Sequence, residues 1–575
     1  MSAFDDDFLL RPGRIGGDRR GRPSSFLGQV RQAIEATGDA GPGRRPGRVG
    51  ASGRSARGTG RAPARAASGR RVVVKARIVR HAGSRYRAAP LARHIAYLQR
   101  DGVDREKGPG RMFDAGGDNA AIGDFAERCQ DDRHHFRFII SPEDAAELGD
   151  LRSYCRDLMG RAEQDLGTRL DWVAIDHWNT DNPHLHVLVR GRGDDGRDLV
   201  IAGDYVARGL RQRAEDLVTL ELGPRSLPEI EAARDADVAA ERWTRLDRAL
   251  LAAADPEGRI DLRPGRGADV ERSRLVGRVA KLEALGLADR EAPARWRLSA
   301  DLETRLRDLA TRGDIIKSYH QAMARAARHP TPERLEIHAQ GQAVPVTGRL
   351  LERGLSDELV GSAYVLVDGL DGRQHHLAFA DLADTTDAPL GAIVELRAFV
   401  GGDGSSRQTL QVRSDLGLEA QVRAQGATWL DRRILQSAPD TGVAGFATEV
   451  AEAQARRAGV LVREGLASVR DGRLVAAPGL LATLQARDLQ AAAARLAAQT
   501  GRPARALGVG EAVSGVYQSR LDLASGRFAV LDDGLGFRLA PWRPALEAHR
   551  GRSVSGVLQP GGMAWSLGRA RGRAL

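Results

Sequence analysis

The chain has 575 residues and carries 87 Lys and Arg against 76 Asp and Glu, a formal net charge of +11. Its length allows about three or four domains, and the basic excess favours a polyanionic partner, nucleic acid before an anionic membrane. Two cysteines exclude a disulfide framework and predict a reducing, cytoplasmic location. No apolar run approaches the ~20 residues that span a bilayer, so we expect no membrane insertion.

Shifts in composition divide the chain into six predicted segments. The first is rich in Gly, Arg, Pro and Ser, and no acidic residue occurs from Gly41 through Arg100. This run predicts an arm that follows DNA phosphates, with a solvated basic linker as the alternative. The segments are a disordered basic arm (1–70), an α+β domain (71–225), a helical region (226–330), a small β module (331–420), a second helical region (421–505) and a second small β module (506–575).

The segment 71–225 predicts an α+β sandwich, with helices against a mainly antiparallel sheet. Ser141 can cap a long helix, and Pro142 suits its first helical position. The expected elements in chain order are a strand from Arg71, a helix over Ala88–Arg100, a helix near Ile122–Cys129, a strand from His135, a long helix from Ser141 to about Leu166, two strands of a hairpin (Asp171–His177 and Leu185–Val189) and a helix near Tyr205–Leu222.

The later segments combine helices with short strands. A helix over Arg272–Ala288 followed by a charged hairpin around Trp296 is typical of a winged helix that binds duplex DNA, with a plain helical bundle as the alternative. Short strands between Gly-rich turns over 337–399 indicate a small barrel, Trp429–Thr500 is Ala-rich and helical, and 509–572 is again short strands. A faint repeat links the two β modules, and no Walker loop supports an NTP-driven motor.

Three histidines stand close together around the hairpin turn of the first domain. The run reads His177-Trp-Asn-Thr-Asp-Asn-Pro-His184-Leu-His186. A hairpin symmetric about this turn places His177 opposite His186, and His184 shares their face because side chains alternate along a strand. Three imidazoles on one face predict a metal site with open coordination positions; the alternative is a chance grouping of polar strand residues.

Tyr97 is the candidate nucleophile of this domain. On its predicted helix it lies off the apolar stripe that begins at Leu91 and ends at Leu98, where a core tyrosine would lie on it. Arg93 and Arg100 share its side of the helix and are suited to bind a phosphate. A phosphodiester is the natural substrate for such a site in a basic protein.

The order of these motifs resembles that of a known enzyme family. Tyr97, then Ser141-Pro-Glu, then His177-x6-His184-x-His186 is similar to the three motifs of conjugative relaxases. These are DNA-nicking enzymes of the HUH endonuclease superfamily, which include the T-DNA border endonuclease type. The resemblance implies that Tyr97 is the nucleophile, that Ser141 contacts DNA and that the three histidines bind a divalent metal. Relaxases usually use Mg²⁺ or Mn²⁺, and the imidazole ligands also suit Zn²⁺ or Ni²⁺.

The resemblance covers residues 70–225 and is closest to relaxases that carry an uncharacterised C-terminal region. It implies nicking of one strand at a transfer origin, with a 5′-phosphotyrosyl intermediate and a 3′-hydroxyl. It also implies binding of single-stranded and duplex origin DNA, a type IV secretion coupling protein and accessory relaxosome proteins. The enzyme would act in the cytoplasm and pass with the strand into a recipient cell.

Two other functions fit the same residues. A rolling-circle replication initiator of the same superfamily would use a tyrosine after the histidines, and Tyr205 stands there. A non-catalytic DNA-binding regulator would keep the histidines in a structural role only. Covalent attachment of DNA to Tyr97, to Tyr205 or to neither residue distinguishes the three.

Overall fold

The computed structural model describes the chain in several stretches. These are residues 69–81, 89–99, 104–106, 108–129, 132–178, 182–264, 270–342, 344–400, 406–436, 444–471, 473–560 and 562–567. They form two compact units that divide between residues 315 and 316. Nearly all of the predicted basic arm lies outside the described residues. Arg70, at its end, belongs to the folded domain, because its side chain is buried and Nε donates to the Gly223 carbonyl oxygen at 3.1 Å.

The first unit contains strands and helices in the α+β arrangement. Its strands are β1 (Val72–Arg80), β2 (His134–Pro142), β3 (Leu170–His177), β4 (His184–Gly193), β5 (Arg259–Asp261), β6 (Ala288–Ala292) and β7 (Arg295–Leu298). Its helices are α1 (Ala89–Leu98), α2 (Ile122–Arg128), α3 (Leu151–Leu166), α4 (Leu210–Leu222, preceded by a π-helical turn, Tyr205–Gly209), α5 (Leu227–Ala239), α6 (Arg245–Ala253) and α7 (Val270–Ala284). Helix α8 (Leu302–Arg325) crosses from the first unit into the second.

The main sheet of the first unit has the strand order β1-β2-β4-β3, and all of its pairs are antiparallel. One face is the apolar core, in which alternate strand residues such as Val74, Phe138 and Val187 pack with helices α3 and α4. The other face is partly covered by α1, whose Leu91 packs near Val173. The predicted mixed α+β class with a mainly antiparallel sheet is therefore confirmed.

The long helix does not begin at Ser141. Ser141 and Pro142 extend β2, where they pair with Val73 and Val72 of β1. Helix α3 begins at Leu151 instead, after Asp150, whose carboxylate accepts from the backbone N–H of Arg152 at 2.8 Å. The local cap signal at Ser141 is overridden because the β1 ladder continues through Ser141 and Pro142. Proline is tolerated there because the pairing of β2 with β4 ends at Ile140, so Pro142 has a neighbouring strand on one side only.

A helical module follows the sheet domain. We call residues 227–298, with α5–α7 and β5–β7, the first helical module. Its core includes Leu250, Val279 and Trp296. The predicted helix and charged hairpin are present as α7 and β6–β7, and β5 adds a third strand. Binding of duplex DNA by this module stays a prediction.

In its described residues, the second unit contains a six-stranded sheet, a five-stranded sheet and a second helical module with a two-stranded hairpin. Its strands are β8 (Leu335–His338), β9 (Thr347–Asp357), β10 (Ser362–Gly369), β11 (Gln374–Phe379), β12 (Ile393–Val400), β13 (Ser406–Ser414), β14 (Ala467–Arg470), β15 (Arg473–Ala476), β16 (Ala512–Leu523), β17 (Gly526–Asp532), β18 (Phe537–Pro541), β19 (Ser553–Gln559) and β20 (Gly562–Ser566). Its helices are α9 (Leu418–Arg423), α10 (Trp429–Gln436), α11 (Phe446–Arg463) and α12 (Leu480–Thr500), with 3-10 turns at Pro332–Arg334, Leu382–Thr385 and Pro544–His549.

The first sheet of this unit is open and does not form the expected barrel. Its strand order is β13-β12-β9-β10-β11-β8, and in the described residues no ladder joins β13 to β8. Closure would need those two strands to pair. The second sheet has the order β18-β17-β16-β19-β20 and is likewise open in the part of the chain that the structure describes.

Residues 418–476, with α9–α11 and the hairpin β14–β15, form the second helical module. The sequence predicted helices here without a hairpin. The hairpin strands are short and mostly exposed, so their apolar pattern is weak. Across the described residues, no helix combines the length and apolar character needed to cross a membrane.

Candidate active site

Three histidines converge on the face of the main sheet opposite its apolar core. His177 pairs directly with His184, and His186 pairs with Ile175, so the three side chains point to the same face. The predicted pairing of His177 with His186 is wrong by two residues, because the register is centred one residue earlier in the chain. The shift of two residues leaves the three histidine side chains on the same face of the sheet, because side chains alternate along a strand with period two.

Backbone carbonyls orient two of the three imidazoles. His177 Nε2 donates to the Leu98 carbonyl oxygen at 2.8 Å, and His184 Nδ1 donates to the Asn182 carbonyl oxygen at 2.9 Å. Because a carbonyl oxygen can only accept, each bond determines which ring nitrogen carries the proton. The other nitrogens, Nδ1 of His177 and Nε2 of His184, can then act as ligands. Metal-binding histidines in proteins are commonly held in this way.

The donor set fits a metal ion. The ligand atoms of His177, His184 and His186 all lie within 4.8 Å of one another, and all three residues are buried. His184 Nε2 lies 3.1 Å from His186 Nε2. Imidazole nitrogens grouped around a common point bind transition-metal ions well. The group could therefore hold a metal ion.

Tyr97 lies on α1, the helix that the histidine centre contacts. It directly precedes Leu98, whose carbonyl oxygen accepts the hydrogen bond from His177, and its side chain is half-buried. The bond thus ties the histidines to the end of the helix that carries the candidate nucleophile. Of the two predicted phosphate-binding arginines, Arg93 lies in α1 but its side chain is outside the described part, and Arg100 lies outside the described residues.

Ser141 shares the histidine face. It follows Ile139 by two residues in β2, and Ile139 pairs with His186 of β4. Ser141 is buried beside β1, so it joins the site as a strand residue and not as a helix cap. Its contact with DNA stays a prediction.

The same face carries basic residues that we did not identify from the sequence. Lys75 and Arg77 lie on β1 and Arg137 on β2, and all three are half-buried. Arg77 pairs directly with Arg137, and Lys75 pairs with Ile139. The alternation in Val-Val-Val-Lys-Ala-Arg-Ile-Val already placed Lys75 and Arg77 on one face, and this signal would have revealed them.

A chain of hydrogen bonds orients Arg137. Its Nε donates to His135 Nε2 at 3.1 Å, His135 Nδ1 donates to His81 Nε2 at 2.8 Å, and His81 Nδ1 donates to the Asp132 carbonyl oxygen at 2.6 Å. Burial lowers the pKa of His135 well below its usual value and also lowers the pKa of His81. Both rings are therefore neutral at pH 7, as this chain of donors and acceptors requires.

Tyr205, the alternative nucleophile, packs on the opposite side of the sheet. Its ring lies against the apolar core, and its hydroxyl donates to Asp165 Oδ2 at 2.9 Å. Burial raises the pKa of Tyr205, and the hydrogen bond to Asp165 raises it further. The structure thus places Ser141 on the same face as the three histidines and joins His177 to the helix that carries Tyr97, whereas Tyr205 packs on the opposite side of the sheet.

Comparison with known proteins finds a family match for the C-terminal part of the chain. Residues 275–403 and 402–574 match the family model described as "Protein of unknown function (DUF3363)". The matched residues make up more than half of the chain and begin after the sheet that carries the histidines. No curated protein and no solved structure matches the chain. The chain therefore belongs to the DUF3363 family.

Proposed function

We propose that this protein is a relaxase, which nicks one DNA strand at a transfer origin with Tyr97 as its nucleophile. The observation that supports this most strongly is the 2.8 Å hydrogen bond from His177 to the Leu98 carbonyl oxygen. It holds a centre of three imidazoles against the helix that carries Tyr97. A nucleophile and a candidate metal centre on one basic face are the parts that strand transfer requires.

In the proposed reaction, the Tyr97 hydroxyl oxygen attacks the phosphorus of a phosphodiester. The new P–O bond joins the tyrosine to the 5′ phosphate, the bond to the 3′ oxygen breaks, and that oxygen leaves as a hydroxyl after taking up a proton. An unperturbed tyrosine has a pKa of ~10, so its proton must pass to a base as the bond forms. One phosphodiester replaces another, so the reverse reaction reseals the strand without ATP.

The three imidazoles of His177, His184 and His186 would hold a divalent cation. When bound, the cation supplies positive charge that stabilises the charge developing on the scissile phosphate. Mg²⁺ and Mn²⁺ are the cations implied by the resemblance to relaxases. Nitrogen donors alone suit Mn²⁺, Zn²⁺ or Ni²⁺ better than Mg²⁺, so we place Mn²⁺ first.

The basic residues on this face support an anionic substrate. Arg77 and Arg137 are directly opposed across β1 and β2, so their side chains lie next to each other on this face. Two neighbouring guanidinium groups can both donate to one phosphate, and the hydrogen bond to His135 orients Arg137 for it. We therefore assign backbone contacts of the single strand to Arg77, Arg137 and Lys75.

The partners follow from the proposed class. They are single-stranded and duplex DNA at the transfer origin, accessory relaxosome proteins and the coupling protein of a type IV secretion channel. The protein would act in the cytoplasm and accompany the 5′ end of the strand into the recipient cell.

The experiment is an assay for a covalent DNA adduct. The full chain is incubated with Mn²⁺ and labelled single-stranded oligonucleotides tiled across the DNA that flanks its gene, and SDS-stable adducts are counted. We expect an adduct with the native chain, its loss in Tyr97→Phe and after chelation by EDTA, and its retention in Tyr205→Phe. The two variants are matched, because each removes one hydroxyl from a tyrosine of the same domain.

Two results would overturn the proposal in different ways. Loss of the adduct in Tyr205→Phe but not in Tyr97→Phe would make the protein a rolling-circle initiator. Duplex binding without an adduct from any tiled oligonucleotide would make it a DNA-binding regulator with structural histidines.

A further inference from the structure

We propose that the second unit contains a separate Zn²⁺ site, formed by Glu336, His338 and His375. These residues lie in the first sheet of that unit, far along the chain from the three histidines of the sheet domain. Their ligand atoms lie within 4.8 Å of one another. The proposal does not depend on the proposed relaxase activity.

The strand pairing brings the three side chains together. Strand β8 runs parallel to β11, with Glu336 paired to His375 and His338 paired to Leu377. Glu336 and His338 are two residues apart and so share a face, and direct pairing puts His375 on that same face. Strand β8 lies at the edge of the sheet, so the cluster is reached from solvent on the side of Glu336, whose side chain is 34% exposed.

The distances suit a tetrahedral zinc ion. His338 Nε2 lies 3.0 Å from His375 Nδ1, and Glu336 Oε2 lies 3.7 Å from each of these nitrogens. With Zn–N and Zn–O bonds of about 2.0–2.1 Å, tetrahedral geometry separates neighbouring ligand atoms by roughly 3.3–3.4 Å. The three separations bracket this value, so small side-chain shifts would complete the site.

Neighbouring groups orient both the imidazole and the carboxylate. His375 Nε2 donates to Asp371, 3.0 Å from Oδ1 and 3.1 Å from Oδ2, which leaves Nδ1 as the ligand nitrogen. Arg373 binds Oε1 of Glu336, and the other oxygen, Oε2, then faces the imidazoles. Glycine at position 369 permits this approach, because a Cβ there would collide with the Asp371 carboxylate and lie 2.8 Å from His375 Nε2.

The donor set selects the class of ion. Two imidazoles and one carboxylate are a common zinc ligand set, and they leave a fourth position for water or a substrate group. Mg²⁺ is disfavoured because it requires mostly oxygen ligands. Zn²⁺ would replace the proton that the two imidazoles otherwise share between His338 Nε2 and His375 Nδ1.

The test measures zinc binding in a chain that lacks the first centre. The full-length background variant carries His177→Gln, His184→Gln and His186→Gln, so that zinc bound to those residues cannot contribute. We expect this background to bind one Zn²⁺ per chain and, with Co²⁺ as the probe, to show the visible absorption of a four- or five-coordinate nitrogen and oxygen site. Added Zn²⁺ should also raise its Tm.

Further variants in this background identify the ligands. His375→Gln and Glu336→Gln should each weaken Zn²⁺ binding at least about 100-fold, and Asp371→Asn should weaken it about 10- to 100-fold through the orientation of His375. The matched control is His320→Gln, an exposed histidine of the same unit, which should leave the affinity unchanged. If His375→Gln does not fold, Glu336→Gln decides, because that side chain is partly exposed on an edge strand.

The proposal fails if the folded background variant, checked by circular dichroism, binds no Zn²⁺ at micromolar concentration. It also fails if Glu336→Gln binds Zn²⁺ as tightly as the background. Neither result bears on the adduct assay with Tyr97, which is carried out with the three histidines of the first centre intact.

Discussion

The two helical modules are built around the same buried ion pair. In the first, Arg278 of α7 donates to both oxygens of Asp247, from Nε at 2.7 Å and from Nη2 at 2.9 Å. In the second, Arg457 of α11 donates to both oxygens of Asp431, at 2.8 and 3.0 Å. All four side chains are at most 1% exposed.

The remaining donors of each arginine reach the same kind of acceptor. Both guanidinium groups bind three carbonyl oxygens at alternate positions of a preceding segment, which are those of Val238, Ala240 and Arg242 in the first module and Val422, Ala424 and Gly426 in the second. With the two bonds to aspartate, all five N–H groups of each arginine are satisfied. A buried ion pair is tolerated only under this condition, since desolvation of the charges is otherwise uncompensated.

The two modules differ in the length of the chain that connects the aspartate to the arginine of the ion pair. Asp247 and Arg278 are 31 residues apart, and Asp431 and Arg457 are 26 apart. The longer connection of the first module includes β5, which adds a third strand to the hairpin. The modules thus conserve the ion pair and its carbonyl acceptors while the connection varies, which indicates two copies of one architectural unit.

The largest effect should come from removing either arginine. Arg278→Leu and Arg457→Leu each leave a buried aspartate without its partner, which costs about 3–5 kcal/mol. We expect this loss of stability to lower the urea midpoint of unfolding and to speed amide hydrogen exchange in the altered module only.

The neighbouring residue supplies the control. Arg456 pairs with the exposed Glu419, so Arg456→Leu should leave the urea midpoint nearly unchanged. Equal losses for Arg456→Leu and Arg457→Leu would show that burial of the pair has no special importance.

We expect an intermediate loss of stability when lysine replaces either arginine, because lysine keeps the positive charge but lacks the planar guanidinium group. Arg278→Lys and Arg457→Lys retain attraction to the aspartate but cannot reach its two oxygens and three carbonyls together. The loss should be about 2 kcal/mol in each module, by urea unfolding. Lysine variants as unstable as the leucine variants would mean that geometry, and not charge, accounts for the whole contribution.

The smallest effect should come from the threonine that supports each aspartate. Thr244 Oγ1 donates to Asp247 Oδ2 at 2.8 Å, and Thr428 Oγ1 donates to Asp431 Oδ2 at the same distance. Thr244→Val and Thr428→Val should each cost about 1 kcal/mol, with no difference between the modules. A difference larger than the error of the unfolding measurement would contradict the equivalence of the two ion pairs.

Much of the sheet domain was predictable because it follows from periodicity. The alternation around His177 and His186 placed three imidazoles on one face even though the register was wrong by two residues. The strand-to-helix boundary at Ser141 was not predictable, because long-range pairing with β1 outweighs a local capping signal.

The buried polar groups were the main features that could not be predicted from the sequence. Hydrophobic periodicity does not detect Arg278 or Arg457, since a buried arginine in a helix looks like a surface residue in the sequence. The Glu336, His338 and His375 cluster was missed for a related reason, because parallel pairing of β8 with β11 is a long-range choice.

The sequence by itself determined the mixed α+β class, the basic character of the chain and the shared face of the three histidines, because composition and side-chain alternation are local properties. Only the tertiary structure decided that His177 contacts the helix of Tyr97, that Tyr205 lies on the opposite side of the sheet, and that each helical module closes around a buried arginine. These features depend on hydrogen bonds between residues tens of positions apart, and their partners are selected by packing and not by neighbours in the chain.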